Sequence, residues 1–369
     1  MYTRVAALLF APDSSLLLQA YLLDWLNLLL RWAHVVLGMV WIGAAFYLLS
    51  LEKQPEGRPW VMWPSYLAWV TGFGLLVGMY YVEAEVYLID PQVMALPKWG
   101  AIVISLAVLV AGLAIYEGVC RSTKNKTVLS TLLLALLALA AWGLTRVYSG
   151  RGAFIHYGVL LGTIMAGNVA HIHVPVARRA AQALKEGRAP DPIEAARARQ
   201  RSLHNGYLTL PVAFAMISNH HASAFGHRFA WLVLVALTFA GVLVHAAVFM
   251  RGRASAWLWI AGLAFIAMAA AVMAPRQASD EGRAEFSDVK HVIDARCVSC
   301  HAERPSSPGV AQAPKGVKLD TAERIGAQAR QIHQQAVLTR VMPPGNLTRL
   351  TAEERALLDR WYRAGAKTD

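Results

Sequence analysis

The feature that most constrains this chain is a succession of long apolar runs that fills it as far as Ala274 and then stops. A helix that crosses a bilayer needs about 20 mostly apolar residues, because only an internally hydrogen-bonded backbone tolerates hydrocarbon. Windows of that size place spans near 26–50, 60–81, 99–119, 127–145, 154–175, 206–223, 229–250 and 256–274. The sixth is the least apolar, since Asn219, His220 and His221 load its end with polar groups. From Pro275 onward the sequence is polar, charged and free of any spanning stretch. The expected fold is therefore all-α. An eight-helix polytopic membrane bundle (1–274) is followed by a linker (275–284) and a small helical domain (285–369).

Before the first span, Gln19, Asp24 and Asn27 give the chain a polar side, which predicts an interfacial helix leading into the membrane. No basic segment followed by a small-residue cleavage site marks a removable signal. The net charge of +12 would fit an acidic partner if it lay on one soluble face. Most of it sits instead in short segments between apolar runs, where it reads as topology rather than nucleic-acid binding.

Three cysteines are too few for a disulfide scaffold, and two are committed to Cys297-Val298-Ser299-Cys300-His301. That spacing is the one for covalent c-type haem: two thiols add to the vinyl groups, and the adjacent imidazole takes an axial position on iron. A zinc site would need further thiolates or a paired histidine motif, and none follows. Cys120, at a helix end, reads as a bystander. The surroundings match a class I cytochrome c: a helix near Phe286–Ala295, a loop Val341-Met342-Pro343-Pro344-Gly345-Asn346, and a final helix. In that last helix Thr351 is the expected N-cap, Glu354 closes a capping box, and Ala356, Leu357 and Trp361 form the apolar face. Met342 is the expected second axial ligand, with mid-helix His333 its rival. Such a haem carries single electrons and performs no substrate chemistry, so the chemistry must lie in the bundle.

Haem attachment to this motif is expected on the outer face of a bacterial inner membrane. An even number of spans then places the N-terminus in the periplasm too. The segments left in the cytoplasm, 51–59, 120–126, 176–205 and 251–255, hold 14 Lys/Arg. The opposite ones hold only Lys98, Arg146, Arg151 and Arg228. The positive-inside rule agrees from independent residues.

Nine of the 12 histidines lie in or beside the spans, where an ionisable group is costly and by default functional. The expected topology puts His34, His156, His220, His221 and His227 toward the periplasm and His171, His173, His204 and His245 toward the cytoplasm, implying two clusters. His171 and His173 point about 200° apart on a regular helix and cannot easily share an ion unless that helix breaks, as it could at Pro175. A metal site, a haem b ligand beside a substrate contact, and a proton relay all remain open. Toward the periplasm Arg31, His34, Glu83, Glu85, Arg146, Arg151 and His156 gather near span ends. Arg31 and His34, three apart, share a face and could bind an anion or a propionate. Gly38 and Gly43 could admit a close neighbour, a helix or a flat cofactor.

Taken together, the Arg31-Trp32-x-His34 and Trp41-Ile42-Gly43 runs, the helix of His156, Asn168, His171 and His173, the Asn219-His220-His221 element, the Cys297-x-x-Cys300-His301 motif and Met342-Pro343-Pro344-Gly345-Asn346 resemble the membrane-bound urate hydroxylases, the cytochrome-c-linked urate oxidases of bacterial purine catabolism. The resemblance implies oxidation of urate to 5-hydroxyisourate, with water supplying the oxygen. Electrons would leave through the fused haem c to a soluble cytochrome c or terminal oxidase. A further haem b or metal ion in the bundle stays open. His204 and His245 complete the set of candidate substrate or second-cofactor residues. The rival readings are a membrane-anchored electron carrier or oxidase subunit with no substrate site of its own, and a redox-gated transporter. Eight spans are more than an anchor needs, and no repeat of broken helices supports transport.

Overall fold

A computed structural model describes residues 14–50, 59–226, 229–250, 252–274, 284–308, 310 and 312–368. Lys53, Arg58, His227, Arg228, Arg251 and all of the expected linker except Ala284 lie outside the described residues. Those described form helices, turns and loops, with no strand among them. Contacts divide the chain into two compact units, Leu29–Met273 and Ala274–Asp369 with Met1–Leu28.

Nine helices are labelled in the first part of the chain: α1 (Ser14–Ser50), α2 (Pro59–Leu75), α3 (Lys98–Ser122), α4 (Lys126–Val147), α5 (Gly150–Asn168), α6 (Val174–Lys185), α7 (Pro192–Ile217), α8 (Ala230–Phe249) and α9 (Arg253–Met273). Seven helical stretches among the described residues are long and apolar enough to cross a membrane. The sixth expected span is not one of them. It forms the C-terminal part of α7, whose N-terminal half is rich in Arg and His. The expected interfacial helix is not separate either, because α1 runs unbroken over 37 residues.

In the Leu29–Met273 unit, α5 is the central helix. Almost every one of its residues is buried, from Gly152 to Asn168, and α2, α3, α4 and α7 pack around it. Its composition explains the position: apolar side chains, from glycine and alanine to Phe154 and Tyr157, cover its whole circumference, so no face asks for solvent. Gly167 shows how close the packing is, since a Cβ there would lie 2.8 Å from Leu113 Cδ1 on α3. Outer helices such as α9 keep only isolated residues buried, Gly262 and Ala269.

Pro175 does not end the helix that begins with α5. A π-helical turn, Val169–His173, joins α5 directly to α6 and gives one helical stretch from Gly150 to Lys185. A proline inside a helix removes one amide donor and crowds the preceding turn, and the wider turn absorbs both. The expected 176–205 loop is likewise mostly helical. α6 and α7 form a hairpin joined by residues 186–191, closed by Ile172, Val176 and Ala198 and by an Arg179–Glu194 ion pair at 2.8 Å.

The C-terminal residues form α10 (Phe286–Arg296), α11 (Ala322–Ala327), α12 (Ala329–Ile332) and α13 (Ala352–Arg363). Their core joins Val289 and Ile293 of α10 to Leu358 and Trp361 of α13. The expected capping box is present, with Thr351 and Glu354 bonded reciprocally. The buried face is offset from expectation. Ala356 is exposed, and Arg355, Leu358 and Trp361 are the buried residues. Arg296 forks onto the Glu354 carboxylate and also donates to Thr348 O at 2.8 Å, tying α10 to the start of α13.

Beside the Cys-x-x-Cys-His turn, the Asp320 carboxylate accepts from Arg324 Nη1 and from the Glu303 amide, each at 2.7 Å. The Arg324 bond first and the amide second hold its pKa down to about 2. A depressed carboxylate stabilises the fold above its unfolded pKa of about 4 and stops doing so as the pH falls toward 2. Asp320→Asn should therefore flatten the acid loss of thermal stability between about pH 4 and 2, measured on the full chain, and lower the melting temperature near neutrality.

Candidate functional site

Two polar groups sit at opposite ends of α5. At its N-terminal end, His156 is fully buried. Its Nδ1 lies 2.8 Å from Gly152 O, and because a carbonyl only accepts, that nitrogen carries the proton. Nε2 then accepts from Ser105 Oγ at 2.7 Å, and Tyr81 OH, also 2.7 Å from Ser105 Oγ, donates in turn. Tyr148 lies against the ring, with centroids 4.7 Å apart. Both nitrogens of His156 are thus occupied within the fold. Nearby, Asn219 bonds Tyr80 OH (3.1 Å), while His220 and His221 are exposed.

Of the other residues expected at this end, Arg31 and Arg151 lie close enough to act on Tyr80, and the rest do not join them. Arg31 donates to Met79 Sδ at 3.0 Å, whereas His34 donates from Nδ1 to Ala68 O at 2.8 Å, leaving its Nε2 as an acceptor. Gly38 and Gly43 face open space, and the close approach is made at Gly72, where a Cβ would lie 2.7 Å from the His34 ring. Arg146 is exposed, its guanidinium 5.7 Å from the Trp142 ring. Glu83 is half-buried at the start of a one-turn helix (Ala84–Tyr87), and Glu85 is exposed.

At the C-terminal end of α5, the sequence reading named some participants and missed the charged centre. Asn168 Nδ2 donates to Tyr116 OH (2.9 Å) and to Asn205 Oδ1 (2.8 Å), and Asn205 donates to Met165 O. Tyr116 OH is 2.9 Å from His204 Nδ1, and Cys120 Sγ reaches the same nitrogen at 3.9 Å. Beside them Arg201, 1% exposed, bonds Glu117 Oε2 at 2.7 Å. Its guanidinium carbon is 4.9 Å from the Tyr116 ring centroid. Arg121 and Arg197 reach the other Glu117 oxygen. Arg201 counts in sequence as one more loop cation, whereas Glu117, a carboxylate inside an apolar run, was the available signal. The π-helical turn exposes His171 and buries His173, so the pair stays divergent.

His245 of α8 is also buried, enclosed by Phe46, Tyr207 and Phe249 with ring centroids 4.8–5.2 Å away. Among the described residues, no three His, Cys, Asp or Glu side chains gather as a metal site.

In the C-terminal residues, Cys297 to His301 form one tight turn, with the Cys300 and His301 amides donating to Cys297 O. Both thiols are free. His301 Nδ1 donates to Val317 O at 2.9 Å, which fixes the tautomer and leaves Nε2 with its lone pair available. The Met342 loop is clamped by its own amide on Gln335 O and by Arg355 on Met342 O. His333 donates Nε2–H to Asp359 at 2.7 Å and stacks on Tyr362.

Ser105→Ala would strand the Tyr81 hydroxyl and His156 Nε2 in a buried space. A loss of about 1–3 kcal/mol is expected, seen as a lower melting temperature of the detergent-purified chain, with any activity reduced in proportion to folded protein.

The family model described as urate oxidase N-terminal matches residues 20–59 and 52–274, which is more than half of the chain. No curated protein and no solved structure matches it. The matched region ends where the apolar helices end, so it contains both polar groups and leaves the Cys-x-x-Cys-His turn outside. Its description points to oxidoreductase chemistry on urate. The chain belongs to the urate oxidase N-terminal family.

Proposed function

We propose that this protein oxidises urate to 5-hydroxyisourate in a bacterial inner membrane, water supplying the new oxygen and electrons leaving through a c-type haem on the C-terminal residues. The observation that carries this reading is the joining, in one chain, of a urate oxidase family bundle to a Cys-x-x-Cys-His turn whose imidazole is tethered to Val317 O. The reaction adds H2O to urate and releases two protons and two electrons.

The residues present fit such a haem. Cys297 and Cys300 would hold it through thioether bonds, His301 through Nε2, and Met342 through its sulfur. The competing His333 has its Nε2 engaged by Asp359. When bound, a haem with His and Met ligation accepts electrons singly at a raised potential. The protein's own contribution there is positional. Val317 O orients the imidazole, and Arg355 fastens the Met342 loop to α13 and to Ala336 O. A soluble cytochrome c or a terminal oxidase would take the electrons onward.

Seven long apolar helices support the membrane assignment, and with α7 counted as an eighth span both termini would share one side, the periplasm if the haem is attached there. The Lys/Arg excess then faces the cytoplasm.

Urate added anaerobically to the purified full chain should reduce its c-type absorption bands. His301→Ala should abolish that response, and Met342→Ala should lower the haem potential and slow the reduction. Urate consumption that requires dioxygen, yields peroxide and survives His301→Ala would refute the proposal.

A further inference from the structure

We propose that the urate anion binds at the C-terminal end of α5, on the buried guanidinium of Arg201. This deepens the urate reading above and rests on it.

Two observations carry the inference. The first is an incomplete set of hydrogen bonds. A guanidinium has five N–H donors in a plane. Nη2 of Arg201 is taken by Glu117, and the Tyr116 hydroxyl and Cys120 thiol interact with the group, but Nε and Nη1, both buried, have no partner at hydrogen-bond geometry. Water satisfies such donors on a surface, whereas in a buried site leaving a charged donor unmatched is costly. Their natural complement is a flat group bearing several acceptor oxygens or nitrogens and a negative charge.

The second observation is charge. Glu117 is shared by three guanidinium groups, those of Arg121, Arg197 and Arg201. One carboxylate cannot neutralise three cations. Arg121 and Arg197 keep 67% and 42% of their side-chain surface exposed, so solvent screens much of their charge. Arg201, at 1%, keeps its own, which makes this end of the bundle attractive to an anion at close range and the two outer arginines a funnel toward it.

The neighbours suit a purine better than phosphate or a simple carboxylate. The Tyr116 ring already supports one planar cation, and the Asn168–Asn205 amide pair offers donor and acceptor groups of the kind that read ring carbonyls and N–H edges. With Asn168 donating to the Tyr116 oxygen, the phenol proton is directed at His204 Nδ1. Tyr116 and His204 therefore form a proton path beside the site, which a reaction releasing two protons requires. The ligand class is a monoanionic oxopurine, bound through its carbonyl oxygens and anionic ring edge.

The test is equilibrium dialysis of radiolabelled urate against the full chain in detergent, without oxygen, with neutral hypoxanthine as the comparison ligand. Arg201→Lys keeps the charge and the contact with Glu117 and removes the unmatched donors, so urate affinity should fall on the order of 30-fold. Arg201→Gln should weaken it further and erase the preference for urate over hypoxanthine. Arg179→Gln, on the exposed Glu194 pair, should bind as the unaltered chain does. If Arg201→Gln fails to fold, Arg201→Lys decides alone. Folded Arg201 variants that bind urate normally would overturn this site while leaving the urate reading intact. An unaltered chain that binds no urate would overturn both.

Discussion

Polar groups inside an apolar bundle have only one another to bond, and the rest of the structure is arranged around that constraint. Most of them meet it locally or across one helix contact. Thr163, Thr145 and Ser130 return their hydroxyl protons to carbonyls four residues back, removing a donor without calling on a neighbour. Tyr148 bonds Ala101 O, Tyr157 bonds Thr238, and Ser149 bonds Tyr87 O. Each of these bonds also fixes the angle at which one helix meets another. Because satisfaction is the rule, the buried nitrogens that lack it stand apart: those of Arg151 and His245, and, with two on one charged group, those of Arg201.

The central helix turns this constraint into architecture. His156 and Asn168 are both on α5, 12 residues apart, which on a helix is roughly 18 Å. One helix therefore supplies a polar residue to each end of the bundle and keeps the two groups from merging. The two ends differ in kind. At the His156 end the ring is closed off, with the Gly152 carbonyl on Nδ1 and the Ser105 hydroxyl on Nε2. The Asn168 end is charged, includes three arginines, and opens toward exposed side chains on α3 and α7. Binding chemistry belongs where charge is in surplus and donors are unmatched.

Much of this was legible in the sequence, for local reasons. Apolar runs announce buried or spanning helices because their length is set by hydrocarbon thickness. The Thr351 and Glu354 capping box is a pattern of four consecutive residues, and Cys297 to His301 is a motif of five. The two histidine clusters expected from position along the helices are not drawn together: His156 and His204 enter separate hydrogen-bond networks, while His34 and His245 stand apart from both. What escaped depended on partners far away in sequence. Arg201 resembles any cytoplasm-facing cation until Glu117, 84 residues earlier, is placed beside it. Pro175 looks like a stop because its cost is local, while the π-helical turn that absorbs it depends on the surrounding packing. Gly38 and Gly43 looked like contact points, yet contact was made at Gly72, since only tertiary structure decides which small residue meets a large one.

The histidines show how far hydrogen-bond inventory goes beyond location. His156 has both ring nitrogens engaged, so it could enter chemistry only by abandoning Ser105 or Gly152, and its burial makes either loss expensive. His301 has one nitrogen fixed by a carbonyl and the other left with its lone pair, the arrangement an axial imidazole needs. His34 shares that pattern through Ala68 O, but it is pressed against Gly72, so its free nitrogen is presented beside α2 rather than into the centre of the bundle. His245 has neither nitrogen hydrogen-bonded and is held by ring contacts alone. All four are histidines of a helical protein, three of them in apolar surroundings, and position alone would treat those three alike. Counting where each proton goes separates a ring that braces the fold from rings still able to accept a ligand.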